Sequence, residues 1–236
     1  MLKLIDVSKR YKKRLVVDNM NFEISDGDVL GLLGSNGAGK STTLSMIATL
    51  LKPDSGQILL DDVDIFSQQK NICRKIGYVP QEIALYEKLT GNDNLSFFAK
   101  AYHLSGDVMK ERLQYVKKIL GLTEEQLREK VYCYSGGMKR RLNMGVALLH
   151  DPKLLLLDEP TVGVDIESRD RILETIEKLS EKGTMVIYIG HYMEEVAQIC
   201  KKICIMNQGN RIIFGEIQEL LEQKNESLED FYKRHL

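Results

Sequence analysis

At 236 residues the chain is long for one domain and short for two, and it can bury a substantial core. Its 33 Lys and Arg nearly cancel its 34 Asp and Glu, which gives no support to a nucleic-acid-binding face built on bulk charge, and Lys9-Arg10, Lys12-Lys13-Arg14 and Lys139-Arg140-Arg141 read as solvated surface. Cys73, Cys133, Cys200 and Cys204 lack metal-like pairing and read as free thiols of a cytoplasmic protein, and with no signal-peptide pattern and no apolar run near the roughly 18–20 residues of a spanning helix the chain is expected to be soluble by itself.

The first third reads as β-rich. Leu2 to Val7, Met20 to Ile24 and Gly56 to Leu60 are short apolar or alternating runs separated by Asp, Asn and Gly turns. Between them Val29 to Leu33 is an apolar strand that runs into Gly34-Ser35-Asn36-Gly37-Ala38-Gly39-Lys40-Ser41, a match to G-x-x-x-x-G-K-[ST]. Glycines let successive backbone N–H groups turn inward on a phosphate, and the helix starting near Gly39 adds its positive end. Lys40 can reach the β- and γ-phosphates, Ser41 can ligate Mg²⁺, and Thr42 opens a helix expected to run to Leu51. A plain Gly-rich connector is the bland alternative; the strand–loop–helix order argues for nucleotide binding. Pro53-Asp54-Ser55-Gly56 is a turn, and Ile76 to Gln81 is a short strand stopped by Pro80.

From about residue 92 to 150 the spacing turns helical, with Leu95, Phe97-Phe98, Tyr102, Val108, Leu113, Val116, Ile119-Leu120 and Leu142 as markers. Strand and helix then alternate through Leu154 to Asp158, Ser168 to Leu179, Thr184 to Ile189, Glu194 to Cys200 and Ile203 to Met206. Such alternation predicts a parallel sheet covered by helices, with the helical block as an insertion into one α/β domain. The boundaries expected are a core and β subdomain over about 1–81 and 152–236 and a helical subdomain over about 82–151. Glu216 to Leu236 offers one or two amphipathic helices that cap the core or touch a twin subunit.

Two further stretches carry chemistry. Leu154 to Asp158 is a buried strand that delivers Asp158 and Glu159 at its C-terminal end, where ligands gather in such folds. Asp158 suits the acid that holds Mg²⁺ and Glu159 the residue that orients or deprotonates the attacking water; a solvated acid pair before Pro160 is the alternative. Ser135-Gly136-Gly137 opens a long helix from Met138 to Leu149 and makes a second anion-binding end. One ATP site does not need two, so this one fits a phosphate held by a partner molecule; alone it would read as an ordinary N-cap.

Taken in order, Gly34 to Ser41, Gln81, Ser135-Gly136-Gly137, Leu154 to Glu159, Gly163-Val164-Asp165 and His191 resemble the ATP-binding cassette family, specifically the nucleotide-binding subunit of a transporter. Tyr134-Ser135-Gly136-Gly137-Met138-Lys139-Arg140-Arg141-Leu142 and His191-Tyr192-Met193-Glu194-Glu195 are similar to the branch that energises drug, sodium and polysaccharide exporters. The resemblance implies an α/β phosphate-loop NTPase core with a mostly parallel sheet, an N-terminal antiparallel β subdomain and an inserted helical subdomain. It implies that Tyr11 stacks on adenine, Gln81 contacts Mg²⁺ and senses the membrane partner, Asp165 lies at the seam between subunits, and His191 holds the γ-phosphate. Glu159 and His191 are then catalytic, and Ser41, Gln81 and Asp158 are the metal-side residues. The implied partners are a separate transmembrane permease and a second copy or homologous cassette, with no nucleic acid, on the inner face of the cell membrane. Tyr134 stands where Leu is usual, Met138 where Gln is, and Gly190 where a hydroxyl residue is commoner before His191. A cassette ATPase of translation or DNA repair is the alternative, although the span from Lys40 to Ser135 has neither heptads nor a basic stripe. A GTPase or kinase lacks its support here, since no guanine-specific N-K-x-D string occurs.

Overall fold

In the computed structural model, which describes residues 1–222 and 226–235, strand β1 (Leu2–Tyr11) folds back on β2 (Arg14–Ile24), and its other edge pairs with β4 (Ser55–Leu60), both antiparallel. The short β5 (Val63–Asp64) finishes that end. The other half is parallel and centred on β3 (Val29–Gly34), which lies between β9 (Lys202–Asn207) and β8 (Met185–Ile189), with β7 (Leu154–Asp158) and β6 (Ile76–Val79) outside β8. A strand not read from the sequence, β10 (Asn210–Glu216), joins the halves. It runs antiparallel to β9 and meets β2 at the parallel pair Asn210–Asp18. The antiparallel and parallel parts are therefore one hydrogen-bonded sheet of ten strands. The hairpin that creates β10 turns on Gln208 and Gly209, both with positive φ (47° and 88°), the geometry of tight hairpin turns.

The central strands are buried on both faces, and their two-residue period divides the core in two. Leu155, Leu157, Val186, Tyr188, Ile203 and Ile205 point to one side, packing with the helices that follow β6. Leu154, Leu156, Met185, Ile187, Cys204 and Met206 point to the other, packing with α1 (Lys40–Ile47) and the antiparallel strands. Helix α1 stops well short of Leu51. Thr49 takes a left-handed φ of 61°, and the N–H groups of Leu50 and Leu51 both turn back to Ser45 O. After β5 comes the single turn α2 (Gln69–Ile72).

Between β6 and β7 run α3 (Gly91–Ala101), α4 (Gly106–Leu120), α5 (Glu124–Arg128) and α6 (Gly136–Leu148). Capping boxes at Thr90 and Thr123 start α3 and α5, and a left-handed Gly121 ends α4. Leu95, Val116, Leu127 and Leu142 belong to the same apolar cluster as one face of the sheet, so this block shares its core with the α/β part. The chain then gives α7 (Ile166–Glu181), α8 (Met193–Ile199), α9 (Ile217–Glu222) and α10 (Leu228–Arg234). The last two are the amphipathic helices expected after Glu216; the parts of that expectation at 223–225 and 236 lie outside the described residues. Leu228 and Phe231 are buried in the shared core. All four cysteines are free, Cys200 and Cys204 buried.

Candidate active site

The loop after β3 and the C-terminal ends of β7 and β8 enclose a cleft of about 480 Å³, lined by Val16, Asn36, Gly37, Gly39, Lys40, Ser41, Thr42, Gln81, Glu159 and His191. Gly39 caps α1 with φ 105°, and a Cβ there would lie 2.5 Å from Val16 O, so no other residue fits the turn that aims the first N–H groups of α1 at the cleft. Lys40 is buried and folds back over the loop, Nζ donating to Gly34 O at 2.7 Å and Ser35 O at 3.1 Å. Burial lowers its pKa, against the opposing pull of the Glu159 and Asp158 charges. Gly34 and Ala38 are buried behind the cleft lining, whereas Ser35 is exposed and, like them, is not among the lining residues.

Asp158 is buried at the end of β7, and Ser41 Oγ donates to its Oδ1 at 3.4 Å. Burial raises the Asp158 carboxyl above the usual carboxylate range; the bond from Ser41 opposes that and the neighbouring Glu159 charge adds to it. Glu159 has a left-handed backbone with φ 53°, uncommon for a residue with a Cβ, and its N–H is held by Ile189 O at 3.0 Å. That conformation turns its side chain into the cleft instead of along the strand. There both carboxylate oxygens are engaged: Gln81 Nε2 donates to Oε2 at 2.7 Å, and His191 Nε2 lies 2.6 Å from Oε1. Three residues far apart in the chain thus meet at one carboxylate.

Ser135, Gly136, Gly137 and Asp165 do not line this cleft; they form a second cluster. Ser135 Oγ accepts from Met138 N at 3.2 Å and caps α6, while Asp165 Oδ1 accepts from Ser168 N at 2.9 Å and caps α7. The bond from Ser168 holds the Asp165 carboxyl below its usual value. The two helix starts abut: a Cβ on Gly137 would lie 2.5 Å from Asp165 Oδ2, and one on Gly136 3.4 Å from Gly163 O. Tyr134 is buried, and its hydroxyl donates to Gln126 O at 2.6 Å, so the residue in place of Leu ties α6 to α5. Tyr11 stands half-exposed at the end of β1, paired with Arg14, outside the cleft lining.

Sequence reasoning missed several residues. Val16 forms part of the cleft wall; nothing distinguishes it from other strand valines. Behind the site, Tyr188, Thr161 and Glu195 form a buried network in which Thr161 Oγ donates to Glu195 Oε2 at 2.7 Å and the Tyr188 hydroxyl donates to the same oxygen at 2.5 Å. The network joins the turn after Glu159 to β8 and α8. It also accounts for Gly190: a Cβ there would fall 2.3 Å from Tyr188 Cε1, because the tyrosine ring fills the space a side chain before His191 would need. Arg140 on α6 reaches the carbonyls of Pro80 and Gln81, a contact that its place in a basic run does not announce.

A phosphate-binding loop after β3, an acid pair at the end of β7 on the far side of β8 and a mixed ten-stranded sheet define an ATP-binding cassette of the phosphate-loop NTPase type. The chain belongs to the ABC transporter family, whose model matches residues 17–162. It is 47% identical over 220 residues to the linearmycin resistance ATP-binding protein LnrL of Bacillus subtilis, covering 93% of this chain and 70% of that one. It is 35% identical over 229 residues to the ABC transporter ATP-binding protein NatA of the same species, covering 95% and 93%. The structure of an ATP-binding subunit of an ABC transporter superposes with a TM-score of 0.89 at 28% identity, covering 99% of this chain and 98% of that one. The cassette MJ0796, solved as a dimer in a post-hydrolysis state with ADP and Pi, superposes at 0.83 with 27% identity, covering 92% and 99%. The chain is thus an ABC ATPase, a transporter's energising subunit, and the translation or repair alternative loses its ground.

Proposed function

We propose that this chain hydrolyses ATP to drive a membrane exporter, working as a head-to-tail pair in which each copy completes its partner's nucleotide site. The observation that carries the reading is the division of the phosphate-binding parts. Gly34 to Thr42 shape one cleft, while Ser135, Gly136 and Gly137 present a second helix start outside it, available to a nucleotide held by another copy. Asp165, packed beside Gly137, then sits at the seam. The dimeric MJ0796 cassette and the names of two relatives, LnrL for linearmycin resistance and the Nod factor export ATP-binding protein I of Burkholderia pseudomallei, support pairing and export.

In this reading Tyr11 offers its exposed ring to adenine beside the Val16 wall. Lys40 leaves the Gly34 and Ser35 carbonyls for the β- and γ-phosphates. Ser41, Asp158 and Gln81 form a hard-oxygen donor set suited to Mg²⁺, which when bound would offset phosphate charge. Glu159 accepts the proton of the attacking water. Each of its oxygens carries one contact and keeps a further lone pair for the water, and the γ-phosphate is the natural competitor for His191.

Among the described residues no helix is long and apolar enough to cross a membrane, and the spanning path is assigned to a separate permease, with this chain at the inner face. The helical block between β6 and β7 forms the docking side, where half-exposed Tyr86 and Phe97 cluster with Phe98, ring centroids 4.9 to 5.9 Å apart. The substitution Glu159→Gln tests the scheme. With saturating ATP and Mg²⁺ the variant should elute from a sizing column as a stable dimer; a variant that stays monomeric there overturns it.

A further inference from the structure

Helix α6 holds the segment after β6 through three of its side chains. Lys139 Nζ pairs with Glu87 Oε1 at 2.6 Å, Asn143 Oδ1 accepts from Ala84 N at 3.3 Å, and Arg140 Nη1 donates to Gln81 O at 2.5 Å and lies 3.4 Å from Pro80 O. Of these contacts only Arg140's reaches Gln81 itself, whose side chain then donates to Glu159 Oε2 at 2.7 Å. Glu159 stands on the sheet side, its N–H fixed by Ile189 O. The bonds therefore run without a gap from α6, through a main-chain carbonyl, to the carboxylate at the end of β7. Arg140 is half-buried, and its guanidinium also lies within the electrostatic reach of Asp158 and Glu159. It does not line the cleft.

We propose that Arg140 is a positioning residue for ATP hydrolysis, setting Gln81 against Glu159 and thereby linking the Ser135–Gly137 start of α6 to the carboxylate of the same chain. The proposal rests on Glu159 as the residue that activates water. Both bonds leave one nitrogen, Nη1, which stands farther out from the main chain than the amide nitrogen of a glutamine, so a shorter amide at this position cannot reach the same carbonyls. When the start of α6 is drawn onto a partner's nucleotide, Arg140 carries Gln81 with the helix, and the grip on Glu159 changes. Misplacement of a reacting group by about 1 Å can cost up to roughly 100-fold, so a link of this kind affects turnover more than ATP capture.

The test uses the full chain with Mg–ATP and measures kcat and KM separately for Arg140→Gln, Arg140→Lys, Gln81→Ala and the Gln81→Ala/Arg140→Gln pair. Arg140→Gln should lower kcat by about tenfold with KM within about twofold, and Arg140→Lys should recover part of the loss. Because Arg140 acts through Gln81, the double variant should turn over within about twofold of Gln81→Ala alone. Wild-type kcat in Arg140→Gln, a loss confined to KM, or the full tenfold loss repeated on the Gln81→Ala background overturns the proposal. Should Arg140→Gln fail to fold by circular dichroism, Arg140→Lys decides by the same comparison on the Gln81→Ala background. Persistent hydrolysis by Glu159→Gln would instead overturn the reading of the site and leave a distinct signature.

Discussion

His191 Nε2 and Glu159 Oε1 lie 2.6 Å apart, so the loop between β8 and α8 is joined directly to the carboxylate at the end of β7. With the carboxylate ionised, that contact requires the proton on Nε2. The same proton suits a γ-phosphate oxygen, so in the proposed function His191 trades one anion for another as the nucleotide enters. Substitution His191→Ala removes the group that serves both anions. ATP hydrolysis should fall by about 100-fold while ATP binding changes little, because Lys40 and the loop amides remain. Steady-state turnover alongside equilibrium binding of a fluorescent ATP analogue checks this, and unchanged turnover would contradict it.

Substitution Ser135→Arg addresses the second cluster. It places a long cation at the start of α6, removes the cap bond to Met138 N, and leaves the lining of the phosphate cleft intact. Hydrolysis should be abolished and ATP binding by the isolated chain should stay within about threefold of wild type, since in the proposed pairing the helix start serves another copy's nucleotide. A variant that loses ATP binding to the same extent as turnover would place Ser135 in its own chain's cleft.

The parts of this site that could be read from the sequence are those whose residues stand next to one another in the chain. Gly34 to Ser41 and Asp158-Glu159 are contiguous, and their flanking strand and helix are marked by apolar period. The grip on Glu159 from Gln81 and His191 brings together groups 78 and 32 residues away, which no local pattern announces. Arg140 looked like one charge in a basic run because its partners are carbonyls, which carry no sequence signature. Strand β10 was missed for another reason: its five middle residues, Arg211 to Gly215, lack polar–apolar alternation, and it is exposed where it joins β2. The departure at Gly190 became intelligible only through space, with Tyr188 occupying the missing side chain's volume.

That relation gives a stability prediction. In Gly190→Ser the new Cβ would meet Tyr188 Cε1 at 2.3 Å, and Tyr188 is fully buried with its hydroxyl engaged by Glu195 and Thr161. Ring or backbone must shift, at a cost of about 2–3 kcal/mol. The urea midpoint should drop accordingly, and adding Tyr188→Val, which vacates the contact, should leave the serine nearly without further effect. Equal losses from Gly190→Ser in both backgrounds would show that the ring is not the obstacle.

Asp61 carries the clearest pH signature. It sits at the turn from β4 to β5, where its Oδ1 accepts from Lys153 Nζ at 2.7 Å and from the Met1 ammonium at 3.0 Å. Burial acts to raise its pKa, but these two bonds and their charges outweigh it and hold the carboxyl down at about 2, below its ordinary 3.8. A carboxylate held down in the folded chain adds stability that is complete above the unfolded value and fades as the pH falls through the folded one. Wild type should therefore be more stable than Asp61→Asn by about 1–2 kcal/mol at pH 7, solvent screening included, and the gap should narrow from pH 4 to pH 2. Asparagine tolerates the left-handed φ of 54° at this position, so the substitution removes the charge with little backbone strain. Urea unfolding of both proteins at pH 7, 4 and 2 measures the gap, and a difference that stays constant down to pH 2 would show that the ammonium groups of Lys153 and Met1 do not stabilise Asp61 in the folded state.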